Sequence, residues 1–348
     1  MSQKTEEVNM LQMLKEQIRQ HTPARLYFFY GEETFLLHHY LKQLQKLLID
    51  PLTESFNFHK LTAETFDMQT FADSVENLPM MAEFTMIVVD EIDIFKLNET
   101  DRERMAEILS DIPDYCSVVF TYETTAFKPD KRNKKLWGVV EQYGTCVEFR
   151  KQSQRDLVNW ISRHFAAAGK KIAPDLCVYL MDITGGTMTA LSGEISKICA
   201  FSGADTICKA DIDAVVEPVL DAVVFQMTDL LAQQQYGAAL LKLQQLLKMQ
   251  EEPLGILAVI GSHFRRLSTA RILLDNGKNA SDLMKLTSLS DYPARKTVAA
   301  AGRFSAAFYA RAAELVMESD LRMKTSFDDA DRILEVLVLQ LSQEAKND

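Results

Sequence analysis

Five short apolar runs constrain this chain more than any other feature: LYFFY (26–30), FNFHKL (56–61), TMIVVD (85–90), SVVFTY (117–122) and TCVEF (145–149). They alternate with stretches of helical periodicity near 33–48, 67–77, 99–111 and 134–143. Each run is strand-length, and most are nearly continuous in apolar character, so both of their faces must be covered. Strands of that kind separated by helices predict a largely parallel sheet with helices on both sides. Residues 1–149 therefore read as a doubly wound α/β domain. A short helix over 1–20, with Met10, Leu11, Leu14 and Ile18 at helical spacing, precedes it and ends at His21-Thr22-Pro23.

After Arg150 the strand signal stops. Short helices are expected near 153–168, 173–182, 187–202 and 209–217, with turns at Gly169, Gly185-Gly186 and Gly203. Thr187 is placed to cap the third of them. Beyond Pro218 come longer helices, roughly 220–234, 236–250, 253–275, 304–324 and 327–345, for a domain of five or six helices. The last carries Ile333, Leu334, Leu337, Val338 and Leu341 as one wide stripe. The division expected is thus 1–149, 150–218 and 219–348, which suits 348 residues.

Composition narrows the function classes. No stretch approaches the ~20 apolar residues of a membrane helix, and MSQKTEEVNMLQ has neither a signal-peptide core nor the acid-poor character of a transit peptide. Five scattered cysteines with no CxxC pair suggest reduced thiols in the cytoplasm. A net charge of −11 argues against strong autonomous DNA binding, but residues 219–348 hold 15 Lys and Arg against 16 Asp and Glu. A local basic face in that part stays open.

The turn after the first strand is where such a domain would hold a nucleotide, and the phosphate loop is missing. That loop needs GxxxxGK[ST], with backbone N–H groups, a lysine and a hydroxyl for the phosphates and magnesium. Here Gly31 stands alone and is followed by Glu32-Glu33. A carboxylate ~5 Å from a phosphate charge costs about 3 kcal/mol at an effective dielectric near 20. The two glutamates instead suit the positive end of the following helix. MIVVDEID (86–93) has the look of a Walker B strand, but without a phosphate loop Asp90 and Glu91 read more simply as acids at a strand end.

Other motifs carry two readings each. The basic run KPDKRNKK (128–135) is a solvated loop and helix start, or a contact for an acidic neighbour or DNA. Met80-Met81, behind Pro79, reads on pattern alone as a loop edge packed on the sheet, although paired methionines also suit a protein-binding tip. Arg265, Arg266 and Arg271 lie along one helix, as surface ion pairs or a DNA-facing stripe. Phe327, past Lys324, is core or a base-stacking side chain. His38-His39 do not have metal-site spacing, and no nucleophile motif or acid/base pair stands out.

Taken in order, several segments resemble one family, the delta subunit of the bacterial DNA polymerase III clamp loader. LYFFYGEETFLL resembles its strand and degenerate phosphate loop, YGxExFL. LPMMAEFTMIVVD is similar to its proline, bulky apolar pair and strand. CSVVFTYETTAFKPDKRNKKLWGVV with GTCVEF, MTALSGEISKI with Glu194 and Lys197, and SDLRMKTSFDDADRILEVLVLQL with Asp320, Lys324 and Glu335 continue the likeness to about residue 342.

The resemblance implies an AAA+-like α/β domain with a degenerate P-loop, a small helical lid domain and an all-helical collar domain for oligomerisation. It implies a non-catalytic subunit of the DNA-directed DNA polymerase holoenzyme, without cofactor or metal. Such a subunit binds the beta sliding clamp and opens its ring for loading onto primed DNA, while sister subunits hydrolyse ATP. Gamma/tau and delta-prime subunits are the implied partners, with no membrane. By position the clamp-binding residues fall on Met80 and Met81, which favours the tip over the packed loop. Arg265, Arg266, Lys324 and Phe327 are the possible DNA contacts. An active AAA+ ATPase using Asp90 and Glu91, or a helical adaptor, is the alternative.

Overall fold

The computed structural model describes residues 3–248, 252–287, 289 and 291–348. The chain divides into two compact units, Met1–Lys151 and Gln152–Asp348. The first runs α1 (Gln3–Gln20), β1 (Leu26–Tyr30), α2 (Thr34–Leu48), α3 (Glu54–Asn57), β2 (Phe58–Leu61), α4 (Met68–Glu76), β3 (Thr85–Asp90), α5 (Glu99–Ser110), β4 (Cys116–Tyr122), α6 (Lys134–Tyr143) and β5 (Thr145–Glu148). Its five strands form one sheet in the order β2-β3-β4-β1-β5, every pair parallel.

The covering on both faces follows from the strand sequences. Along β1, Leu26 and Phe28 point to one side, where they pack with Met68, Phe71, Met105, Leu109, Leu136 and Val140 from α4, α5 and α6. Tyr27 and Phe29 point to the other, against Leu14 of α1 and Leu37 and Leu44 of α2. Side chains alternate with a period of two along a strand, so burying both sets requires helices on both faces. Helix α1 is part of this core: Leu14 is fully buried, and the Tyr27 hydroxyl donates to Gln17 Oε1 at 2.9 Å. Burial pushes the Tyr27 phenol up to about 12.

In its strands the first unit departs from the sequence reading at one point. The run FNFHKL is strand only from Phe58; Phe56 and Asn57 belong to the one-turn helix α3. The sheet ladder begins at Phe58 opposite Met86, and the residues before it are free to turn.

The second unit is helical: α7 (Gln154–Ala167), α8 (Pro174–Thr184), α9 (Met188–Phe201), α10 (Lys209–Val215), α11 (Leu220–Ala232), α12 (Tyr236–Lys248), α13 (Pro253–Asp275), α14 (Ala280–Leu286), α15 (Asp291–Ala301), α16 (Ala306–Thr325) and α17 (Ala330–Asn347). Gly185 ends α8 in the left-handed conformation (φ 77°), and Thr187 Oγ1 accepts from Ala190 N at 3.3 Å to cap α9. The stripe on α17 is buried, Ile333, Leu334, Leu337, Val338 and Leu341 all lying in the interior. Met227, Leu243, Ile260, Phe264 and Phe308 share a core with the last four.

Periodicity predicted five or six helices after Pro218, and seven are described. The additions are α14, too short at seven residues to show a period, and α15, whose buried face is mostly alanine. The predicted end of α12 at residue 250 lies outside the described residues. Phe327 is a second correction: it sits in the turn between α16 and α17, before the helix it was expected to start, and is fully exposed rather than core.

Candidate functional site

At the carboxyl edge of the sheet, where an open α/β fold holds its ligands, the first turn has no room for a phosphate loop. Only Gly31, Glu32 and Glu33 separate β1 from α2. The turn is stitched to the end of β5, with Phe149 N donating to Tyr30 O at 2.7 Å and Glu33 N donating to Phe149 O at 2.9 Å. Gly31 adopts φ +130°, and a Cβ there would stand 2.3 Å from the Phe149 carbonyl oxygen. Only glycine allows that approach. Glu33 occupies the N-cap position of α2, and burial raises its carboxyl pKa. Glu32 lies 3.7 Å from the Lys151 ammonium.

The two acids resembling a Walker pair are held in hydrogen bonds. Asp90 accepts from Thr121 Oγ1 at 2.8 Å and pairs with Lys60 Nζ at 3.0 Å. Glu91 follows β3 with φ 60°, the left-handed region. One of its oxygens accepts from Glu123 N (2.5 Å) and Thr124 N (2.9 Å), the other from Thr124 Oγ1 (2.9 Å) and Thr125 N (2.7 Å). Burial works against its charge, but these donors outweigh it and lower the carboxyl to about 2. A carboxylate so held is a poor proton acceptor near neutral pH. Its geometry is that of a clasp fastening the exit of β4 to the exit of β3.

The opposite edge of the sheet carries the exposed apolar residues. Between α4 and β3 the chain passes through a tip in which Met80 is 53% and Met81 91% exposed, with Leu78 exposed before them. This overturns the pattern-only reading of the pair as packed on the sheet. Met81 has φ 54°, a conformation that costs a non-glycine residue about 1 kcal/mol or more. The tip is tied to the residue before β2: Met80 N donates to Asn57 Oδ1 at 2.7 Å, and Asn57 Nδ2 donates to Met80 O at 2.9 Å. Asn57 is completely buried, while Leu52 and Phe56 on its own segment are exposed. Sequence reasoning missed Asn57 because it lies inside a run read as strand. A lone amide in an apolar run was the available signal.

Most of the basic candidates of the second unit have acidic partners. Arg266 pairs with Asp221 and lines a cavity of about 260 Å³ together with His263 and Lys296. His263 is buried there, and burial lowers its imidazole to about 3. Lys324 pairs with Asp320 at 2.8 Å one turn earlier, and Arg271 with Asp275 at 2.7 Å. Arg265 and Phe327 are solvent-exposed. In the basic run of the first unit, Arg132 pairs with Asp130 and Lys135 with Glu107, both at 2.9 Å. Among the described residues no group of His, Cys, Asp and Glu could hold a metal ion, and no helix is long and apolar enough to cross a membrane.

Comparison with known proteins gives a consistent result. Residues 27–149 match the family profile described as DNA polymerase III, delta subunit. Residues 221–341 match that of the DNA polymerase III delta subunit, C-terminal domain. The chain is 23% identical over 330 residues to DNA polymerase III subunit delta of Bacillus subtilis (strain 168), covering 93% of this chain and 94% of that protein. It is also 23% identical over 290 residues to the probable DNA polymerase III subunit delta of Aquifex aeolicus (strain VF5), covering 80% of each. The fold matches the solved structure of the Bacillus subtilis DNA clamp loader delta protein with a TM-score of 0.73 at 20% identity, over 95% of this chain and 98% of that one. With both profiles matched in order along the chain, it belongs to the DNA polymerase III delta subunit family.

Proposed function

We propose that this chain binds the beta sliding clamp through Met80 and Met81 and opens the ring for loading onto primed DNA, without hydrolysing ATP itself. The observation that carries this reading is the tip: two bulky apolar side chains held in solvent at the edge of the sheet opposite the usual ligand site. A pair of methionines adapts to an apolar pocket on a partner, and each contributes about 1.5–3 kcal/mol when fully buried.

The three-residue first turn and the hydrogen-bonded state of Asp90 and Glu91 support the non-hydrolysing role. The energy for loading then comes from sister subunits that hydrolyse ATP, in a cytoplasmic complex whose other members are gamma/tau and delta-prime. The domain division belongs to the same reading: an AAA+-like domain over 1–149, a lid over 150–218 and an oligomerising collar over 219–348. Contact with primed DNA falls to Arg265, Arg266, Lys324 and Phe327. Arg265 and Phe327 are the freer pair, because Arg266 and Lys324 already have acidic partners.

The test is capture of the cognate sliding clamp by the full chain, wild type against Met80→Ala/Met81→Ala, with and without the other clamp-loader subunits. Loss of capture in the folded double variant is expected. Unchanged capture would remove the site assignment.

A further inference from the structure

The tip has a feature that exposure alone does not explain. Met80 and Met81 have no ladder of their own, since β3 begins only at Thr85. Met81 holds a left-handed φ of 54°. A short segment of that kind samples many conformations unless something over-determines it. The group that does so is the Asn57 side chain. A primary amide offers one acceptor and two donors, so it can pair with a peptide unit as a neighbouring strand would.

Here the pairing has complementary polarity at both contacts: the Met80 N–H meets Oδ1 and the Met80 carbonyl meets Nδ2. Reversing the amide would set N–H against N–H and oxygen against oxygen, so the chemistry selects this orientation. The same Nδ2 also lies 3.2 Å from Thr53 O, at the start of the turn that carries Asn57. No part of Asn57 reaches solvent, so its amide finds its partners within the protein.

We propose that Asn57 is a positioning residue for clamp recognition, holding the backbone of Met80 so that Met80 and Met81 meet the clamp already in their bound geometry. This rests on the reading of Met80-Met81 as the clamp contact. Its physical content is preorganisation: ordering the tip before the encounter removes an entropic cost from binding. Asn57 touches no partner in this scheme; it acts only through the methionines.

The experiment is a double-mutant cycle on the full-length chain, titrated against the cognate sliding clamp. Asn57→Ala in the wild-type background is expected to weaken binding roughly tenfold, the scale of losing two buried hydrogen bonds. In the Met80→Ala/Met81→Ala background, Asn57→Ala should change the remaining affinity by less than about twofold, because its route of action is gone. Amide exchange at Met80 should quicken in Asn57→Ala while Val88, inside β3, keeps its protection. Asn57→Ser, smaller but still polar, serves as the second variant if Asn57→Ala does not fold. Equal losses in the two backgrounds would reduce Asn57 to a general structural residue, and no loss in the wild-type background would also overturn the proposal. If Met80→Ala/Met81→Ala itself binds as wild type, the clamp-contact reading falls first. If that variant loses binding while both Asn57 variants retain it, only the positioning role falls.

Discussion

The two ends of strand β3 have opposite arrangements. Before it, Met80 and Met81 are apolar and stand in solvent; at its far end, Asp90 and the following Glu91 are charged and are drawn into hydrogen bonds. Burial preferences alone would put the methionines inside and leave the acids to water. Because every strand is parallel, these ends lie on opposite edges of the sheet. The carboxyl edge, where this kind of fold places ligands, has its acids occupied in structure. The amino edge carries the unpartnered apolar surface. One strand can thus carry an exposed apolar tip at one end and a hydrogen-bonded acid pair at the other, because different segments hold the two: Asn57 the tip, and residues 123–125 the Glu91 carboxylate.

The largest effect expected is on the amino edge. Met80→Ala/Met81→Ala should weaken clamp binding by about 3 kcal/mol, close to a hundredfold, while the unfolding free energy stays within about 0.5 kcal/mol of wild type. Calorimetric titration and urea unfolding measure the two; a large stability loss would mean that the pair is core after all.

The carboxyl edge should respond in the reverse sense. Glu91→Ala strands donors on Glu123, Thr124 and Thr125 and should cost about 2 kcal/mol of folding stability, with clamp affinity unchanged. A variant that unfolds at the wild-type urea midpoint would dissolve the clasp.

The same residue sets a pH dependence. Its folded value, about 2, lies below the ordinary 4.5. The stability it contributes is therefore complete above pH 4.5 and is lost as the pH falls toward 2. Over that window Glu91→Gln should lose less stability than wild type, as read from urea midpoints at pH 5 and about pH 3; parallel curves would show that the carboxylate is not the group responsible.

The smallest effect is outside the comparison and calibrates it. Phe327→Ser should move stability by no more than about 0.5 kcal/mol, as for any exposed site, and a clear drop would return Phe327 to the core.

Much of this was legible in the chain itself. The five apolar runs and the helical stretches between them determined the α/β class and the start of the helical part, because both faces of such strands must be covered. The absent lysine and the paired glutamates after Gly31 spoke against a phosphate site before any geometry was known. Helices α14 and α15 were not legible, since seven residues or an alanine face leave no periodic signal. Nor was the place of Phe327, because a phenylalanine between two helices has the same local sequence whether it turns in or out.

At the feature that matters most, local sequence and tertiary structure divide the work. The chain alone placed two methionines behind Pro79 and ahead of a buried strand. Only the fold shows both side chains in solvent and the backbone of Met80 tied to Asn57, 23 residues earlier. Residue type and spacing are read along the chain, whereas a buried hydrogen bond between distant segments exists only once the sheet has brought them together.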